Sequence, residues 1–361
     1  MKILITGCDG YIGWPLFLKL IIKYPKFKIL GVDNLSRRKW TTKKSNIRIS
    51  SMKSRLNEVK RKFNRKNFKF QKLDLLHKSK VKNLLKNFKP DVILHLAAQP
   101  SAPYANKNIN QAIFTNINNS ISTLNLLWSL KENNLLKCKF IETTTTGVYG
   151  TPETSIPEGF LKKGKEKKIP FASMGGSWYH ISKSNDCNFL WLANRLWGLT
   201  IIDFRTAITL GVQTKETKIS KHFNTRFDSD FFFGVVANKF IKKELNNEEI
   251  EVYGKGKQKK PFIDLEDAVE SIDNSIKLKI DNKYHVYNQL SETISINQIS
   301  KMIKEIYPLT KIKHIKNPRI EKEEHNMQMD NKKFLKILKK KPKKILRSIK
   351  DTFQNLNSIA Y

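Results

Sequence analysis

A glycine triplet at the junction of two unlike apolar patterns constrains this chain more than any other feature. Residues 2 to 6 (KILIT) make a mostly apolar run of strand length, and Gly7-Cys8-Asp9-Gly10-Tyr11-Ile12-Gly13 follows at once. From Tyr11 to Ile22 the apolar residues return at helical spacing, and Lys28–Asp33 (KILGVD) reads as a second strand. Strand, crossover helix and parallel strand within about thirty residues make a βαβ unit, with Pro15 in the first helical turn where a missing N–H costs little. Gly7 permits the tight turn, Gly10 lets the backbone approach a pyrophosphate, and Gly13 lets the helix pack close to the sheet. Free N–H groups at the helix start then face the anion. Asp33 lies about twenty residues past the last glycine, where a carboxylate accepts from both hydroxyls of an adenosine ribose. NAD is therefore expected over NADP, although Arg37 and Arg38 stand where arginines hold a 2′-phosphate.

Further strands are legible at Phe68–Lys72, Val92–Leu96, Phe140–Thr144 and Thr200–Phe204, with amphipathic segments between them. That alternation predicts an α/β fold, a Rossmann-like doubly wound parallel sheet. After Gly211 the pattern becomes polar and irregular up to Lys260, and order returns over Phe262–Ile276. The expected division is a discontinuous NAD-binding domain, 1–211 with 262–285, and a smaller α/β substrate lobe, 212–261 with 286–361. Apolar spacing from Phe334 to Phe353 predicts that the Lys-rich C-terminal segment is folded.

The 361 residues carry a formal net charge of +36, a balance that raises the question of nucleic acid. The excess is almost all lysine and spreads along most of the chain. It is densest from Arg37 to Lys72 and from Lys332 to Lys350, without the interleaved aromatics of a single-strand binder. Exposed helix faces are the favoured reading of both segments, and nucleic acid is not an expected partner. Cys8, Cys138 and Cys187 form no paired spacing, neither a disulfide framework nor a metal site, which suits a reducing compartment. With no cleavable apolar leader and no run of the roughly 18 apolar residues that spans a bilayer, a cytoplasmic protein is expected.

The second informative pattern is Tyr179-His180-Ile181-Ser182-Lys183, with Thr145 upstream at the end of a strand. Residues four apart on a helix share a face, so Lys183 is expected beside Tyr179. A phenol titrating near pH 10 is a poor base, and a neighbouring ammonium lowers it. Lys183 is also expected to hold the nicotinamide ribose, and Thr145 to share the proton of a substrate hydroxyl.

Together the glycine motif, LAAQ (Leu96–Gln99), GVYG (Gly147–Gly150) and YxxxK resemble the extended short-chain dehydrogenase/reductases, which include nucleotide-sugar epimerases and dehydratases. A narrower resemblance, to the UDP-sulfoquinovose synthase branch, rests on blocks in the same order over nearly the whole chain. These include DGYIGW (Asp9–Trp14), VDNLSRR (Val32–Arg38), QPSAPYA (Gln99–Ala105), YGTPE (Tyr149–Glu153) and SWYHISK (Ser177–Lys183). RFDSDFFFG (Arg226–Gly234), VYGKGKQ (Val252–Gln258) and NPRIEKEEH (Asn317–His325) continue the series.

The resemblance implies a reaction on UDP-glucose with tightly held NAD. Tyr179 would take the 4-hydroxyl proton as hydride leaves C4, water would be lost across C5–C6, and sulfite would add at C6 of the resulting enone. A UDP-hexose 4-epimerase is the alternative. Cofactor contacts are implied for Gly7, Gly10, Tyr11, Ile12 and Gly13, and for Asp33, Asn34 and Arg37. Asp74 and Leu75, then Leu96, Ala97, Ala98, Gln99 and Asn119, with Tyr179 and Lys183, complete that set. Substrate contacts are implied for Ser101, Tyr104, Thr145, Arg226, Asn238 and Lys260. Arg205 and Arg319 are candidate diphosphate clamps, or else surface ion-pair partners. His180 joins the catalytic group as a proton donor or sulfite ligand, or simply bonds its own helix. Asp228 and Asp230 meet sugar hydroxyls or cap a helix, and a homodimer is implied by analogy.

The chain departs from the branch at Pro100 and Val148, at Arg205-Thr206-Ala207 and Leu210, and at Lys260 where an arginine is usual. Lysine makes no bidentate fork to phosphate. After Thr145 come Thr146 and Gly147, so the Asp-Glu pair of familiar 4,6-dehydratases is missing.

Overall fold

The computed structural model describes residues 1–40, 45–163, 167–170, 174–318 and 324–359. In chain order the strands begin β1 (Lys2–Thr6), β2 (Lys28–Asp33), β3 (Phe68–Lys72), β4 (Val92–His95) and β5 (Lys139–Thr143). A hairpin of β6 (Phe160–Lys163) and β7 (Lys167–Pro170) follows, then β8 (Ile201–Thr206), β9 (Ile208–Leu210), β10 (Ile250–Tyr253) and β11 (Lys259–Asp264). The last are β12 (Tyr284–Gln289), β13 (Glu292–Ser295) and β14 (Ile312–Ile315). Seven of these form one sheet in the order β12-β8-β5-β4-β1-β2-β3, every pairing parallel. The expected strands and the doubly wound architecture are therefore present.

Helices α1 (Gly13–Lys23), α2 (Met52–Phe63) and α3 (Lys78–Phe88) connect the first four strands. A short α4 (Ala102–Ala105) precedes α5 (Ile109–Asn116), which runs through a π-helical segment into α6 (Ser122–Glu132). The long α7 (Trp178–Trp197) leads to β8, and α8 (Val236–Leu245) and α9 (Leu265–Ser275) flank β10 and β11. The chain closes with α10 (Ile296–Ile306), α11 (Lys332–Leu338) and α12 (Ile345–Ile359). One face of the large sheet buries its apolar side chains with Trp14, Phe17 and Val269 of α1 and α9, the other with Leu84, Leu126 and Leu190 of α3, α6 and α7. Strand order reverses between β1 and β4, and in open α/β sheets the crevice beyond such a reversal is where ligands bind.

A separate core unites α8, α10 and α12 with the β13-β11-β9 sheet, so the C-terminal segment is folded. The domain seams drawn from sequence run differently from the packing. β9 precedes Gly211 yet pairs with β11 in the lobe, and the 285/286 seam cuts β12, all six residues of which pair with β8. Phe334, Ile337 and Leu338 of α11 also join the core of the large sheet. Composition shifts at loops, whereas sheet membership is set by long-range pairing that no local pattern reports. Among the described residues no helix is long and apolar enough to cross a membrane.

Candidate active site

At the reversal of strand order the ends of β1 and β4 nearly touch. Gly7 has a left-handed φ of +74°, and a Cβ there would lie 2.6 Å from the Ala97 backbone nitrogen. A Cβ on Gly13 would overlap the Gly7 carbonyl oxygen. Only glycine fits either place, and the turn that results opens α1 toward a cavity of about 1430 Å³. A pocket for one drug-sized ligand holds roughly 300–1,000 Å³, so this one has room for a dinucleotide and a second ligand.

Gly7, Gly10, Tyr11, Ile12, Gly13, Asp33, Asn34 and Arg37 line the cavity, as do Asp74, Leu75, Leu96, Ala97 and Ala98. Asp33 is fixed by two backbone donors, Asp9 N–H at 2.9 Å and Leu35 N–H at 2.7 Å. Burial pushes its carboxyl upward, against the pull of those bonds. Asn34 donates to Asp74 at 3.1 Å, joining the two sides of the ribose end. Tyr11 donates its hydroxyl to the Gly211 carbonyl at 2.5 Å, a tie from the glycine turn to the lobe. Gln99 and Asn119 stand behind the wall. Gln99 N–H donates to Asn119 Oδ1 at 2.7 Å, and Asn119 donates back to the Gln99 carbonyl at 3.1 Å and to Ser182 at 2.9 Å. They position the wall rather than face the cavity.

Both arginines that made the cofactor ambiguous are occupied. Arg38 forks onto Asp9 with two bonds of 2.7 Å. Arg37 pairs with Asp228 at 2.7 Å and stacks over Phe233, 3.6 Å from the ring centre. Asp9, fully buried in the glycine motif, also receives Arg55 at 2.9 Å and approaches Arg226 at 3.5 Å. Sequence reasoning passed over this carboxylate, although a charged residue inside a glycine turn was itself the signal.

Thr145, Tyr179 and His180 line the cavity next to Lys260 and Gln258. Thr145, whose hydroxyl accepts from Gly147 N–H at 3.2 Å, stands near enough to the Tyr179 phenol to pull its titration down. Burial raises the Tyr179 phenol above its ordinary value, and the Lys183 ammonium and Thr145 oppose that rise. His180 bonds Ser177 Oγ through Nδ1 at 3.0 Å and packs on Gly147, where a Cβ would overlap its Nε2. Burial, with the nearby charge of Lys260, pulls its imidazole down to about 4, so it is neutral at pH 7. Neutral imidazole and a phenol on one wall can each take a proton from a bound ligand and return it.

Three further expected contacts are placed elsewhere, and a fourth lies outside the described residues. Lys183 lies behind Tyr179 and not on the cavity wall; its ammonium donates to Glu142 at 2.7 Å and Asp186 at 2.6 Å. Arg205 is buried in the sheet, bonded to Asp203 at 3.3 Å and stacked on Tyr149, so it is neither a diphosphate clamp nor a surface ion-pair partner. Tyr104 packs among Trp40, Phe114 and Phe233 instead of lining the cavity. Arg319 falls outside the described residues. Of the remaining substrate candidates, Ser101, Arg226, Asn238 and Lys260 do line the cavity. Ser101 donates to the Phe232 carbonyl, and Arg226 is buried with Nε and Nη2 lacking a hydrogen-bond acceptor among the described residues. Asp228 lines the cavity and holds Arg37, and Asp230 accepts from the Phe232 and Phe233 backbone.

Comparison with known proteins agrees with this geometry: the model of the NAD dependent epimerase/dehydratase family matches residues 3–288. The chain belongs to that family. A UDP-sulfoquinovose synthase of Sulfolobus acidocaldarius is 33% identical over 92% of this chain and 86% of its own. The chloroplastic UDP-sulfoquinovose synthase of Spinacia oleracea is 29% identical over 93% of this chain and 71% of its own. Among solved structures, a UDP-glucose 4-epimerase from Thermotoga maritima with UDP-glucose superposes with a TM-score of 0.76 at 22% identity, covering all of both chains. The chain is thus an NAD-dependent enzyme of the epimerase/dehydratase type with the Rossmann-like fold of its neighbours.

NAD fits what the residues present: the glycine cradle would take the diphosphate, and Asp33 would take the adenosine ribose. Calorimetry is expected to show NAD binding at least tenfold tighter than NADP, roughly the effect of one unfavourable charge contact. Asp33→Ala should narrow that gap. Equal affinities in the unaltered protein would mean that Arg37 or Arg38 leaves its carboxylate for the 2′-phosphate.

Proposed function

We propose that this enzyme converts UDP-glucose and sulfite to UDP-sulfoquinovose. The reading is carried by the wall around Thr145: in place of the dehydratases' Asp-Glu pair stand Thr146 and Gly147, and the space over Gly147 is filled by neutral His180. Resemblance to two UDP-sulfoquinovose synthases over more than nine-tenths of the chain supports it.

In this mechanism Tyr179, steadied by Thr145, takes the proton of the sugar 4-hydroxyl. The glycine cradle and Asp33 would hold NAD, whose chemistry here would be to store the C4 hydride and restore it at the end, so no external redox partner would be needed. The 4-ketone acidifies C5–H, and His180, uncharged at neutral pH, is assigned as the base that removes that proton. The C6 hydroxyl leaves as water with the proton that His180 took up, giving an enone; sulfite adds at C6 through sulfur, and C5 regains a proton before hydride returns to C4. Lys260 supplies positive charge beside His180 for the incoming anion. Arg226, which lines the cavity beside Asp9, is assigned to an oxygen of a diphosphate. A reducing, cytoplasmic setting accords with three buried free cysteines.

The assembly proposed is a homodimer. Ile109, Ile113, Ile117 and Ile121 recur every fourth residue along α5 and its π-helical extension, and Ile109 is 69% exposed. On neighbouring α7, Trp178, Leu192 and Leu196 are also exposed, Leu196 at 62%. Two copies joined here bury four helices against one another. Ile113→Asp with Leu196→Asp should convert the dimer to a folded monomer in analytical ultracentrifugation; an unaltered protein that sediments as a monomer excludes this assembly.

Tyr179→Phe is expected to lower turnover by about a hundredfold or more while leaving NAD and UDP-sugar affinity within a few-fold. Near-normal turnover would place the acid–base group elsewhere. The reading as a whole is decided by product analysis: with UDP-glucose and sulfite, mass spectrometry should find a UDP-linked 6-sulfonated hexose. Without sulfite, solvent deuterium should exchange into C5. UDP-galactose as sole product with no C5 exchange would make the enzyme a 4-epimerase.

A further inference from the structure

Lys183 is 2% exposed, and its ammonium lies between the carboxyl groups of two buried residues, Glu142 at 1% and Asp186 at 0%. Glu142 belongs to β5, three residues before Thr145; Lys183 belongs to α7, four residues after Tyr179. The 2.7 Å Glu142–Lys183 bond therefore ties the strand that delivers Thr145 to the helix that delivers Tyr179.

The charges around that bond do not cancel. His95 on β4 faces Lys183, and burial keeps its imidazole neutral. Asp203 and Arg205 on β8 pair with each other at 3.3 Å. Asp186 and Cys187 on α7 complete the surroundings, and burial pushes the thiol up so that it stays protonated. Two carboxyl groups thus serve one ammonium; burial pushes Glu142 well upward, and the Lys183 ammonium bonded to it pulls the other way. Glu142 Oε2 and Asp186 Oδ1 are buried with no hydrogen-bond partner among the described residues. A structural tie alone needs one carboxylate, and Asp186 on the same helix already balances the charge. The second one, on the other element, has a further consequence: an ammonium facing one carboxylate draws a neighbouring phenol toward phenolate more strongly than an ammonium facing two.

We propose that Glu142 is a positioning residue for the Tyr179 hydroxyl, acting through Lys183 to hold β5 against α7 and to temper the pull of the ammonium on the phenol proton. This rests on the reading of Tyr179 as the acid–base group. A phenol that must take a proton from the sugar and then return it works best when neither state is locked. Lys183 favours the phenolate, and Glu142 restores the balance.

The test uses the full-length, NAD-loaded protein with Glu142→Gln, which keeps an oxygen for Lys183 and removes one charge; Asp186 still pairs the buried ammonium. Tyrosine labelled at Cζ with carbon-13 reports each phenol by NMR, and the Tyr179 line is the one lost in Tyr179→Phe. The expected result is a Tyr179 midpoint lower by about half a pH unit or more, since one unit corresponds to about 1.4 kcal/mol of differential interaction. Glu142→Asp, whose carboxylate is withdrawn from the ammonium, should fall between, and it carries the comparison if the glutamine variant does not fold. An unchanged midpoint overturns the proposal even where melting temperature drops, because a strut without electrostatic influence moves only the latter. The readout needs no substrate. A wild-type enzyme that makes no sulfonated sugar would sink the assigned reaction and still leave Glu142 to be decided by its effect on Tyr179.

Discussion

The cavity exists in its present form because Asp9 is held by arginines from three directions. Arg38 comes from the loop after β2, Arg55 from α2, and Arg226 from the segment that enters the lobe. Arg55 continues to the Asn224 carbonyl at 2.6 Å and Arg38 to that of Ser50 at 2.9 Å. The glycine turn, the second helix and the lobe are thereby fixed to a single buried carboxylate. Buried charges are costly to desolvate, and losing one partner of such a pair typically destabilises by about 3–5 kcal/mol. Three cations on one anion leave positive charge in excess beside the glycine turn, in the place where a dinucleotide puts its diphosphate.

This arrangement explains a division within the basic composition. In the dense segment from Arg37 to Lys72 the lysines, such as Lys53, Lys60, Lys62, Lys66 and Lys69, face solvent, as expected of exposed faces. Arg37, Arg38 and Arg55 turn inward instead and hold Asp228 and Asp9. The planar guanidinium is less strongly hydrated than an ammonium and matches a carboxylate with two parallel bonds, so it suits these inward contacts. Reading the segment as one exposed surface holds for its described lysines and for Arg48 and Arg61, and fails for Arg37, Arg38 and Arg55.

What could be read from sequence was what depends on local geometry. Gly7, Gly10 and Gly13 are forced by a turn of a few residues, and Asp33 follows at the end of the next strand. Thr145 and Tyr179 meet because each ends or begins an element beside the same crevice. Lys183 could not be placed in this way. Four residues along an α-helix advance about 400°, so Lys183 sits some 40° further round than Tyr179, and here that turn carries it from the cavity to the sheet. Whether it meets a ribose or a carboxylate is then settled by Glu142, on a strand forty residues upstream. Arg205 failed for a related reason. β8 lies between β5 and β12 with both faces covered, so its alternation says nothing about which side faces a ligand.

One segment makes the two halves of the site interdependent. Between Arg226 and Phe233 the chain places Arg226 near Asp9, Asp228 on Arg37, the Phe232 carbonyl on Ser101 Oγ, and the Phe233 ring under the Arg37 guanidinium. These contacts reach the glycine turn, the loop after β2 and the start of α4, all of them parts of the large-sheet domain. The same segment then enters α8, which belongs to the core of the lobe. Cofactor-side and sugar-side walls therefore share a single piece of backbone. A substitution that shifts the segment alters both walls together, whereas independent domains would respond separately. For a reaction that sends hydride out and back between two ligands, a common wall would hold the two sides of the cavity in one relative position. A hinge between the two halves would have to be reset for the return.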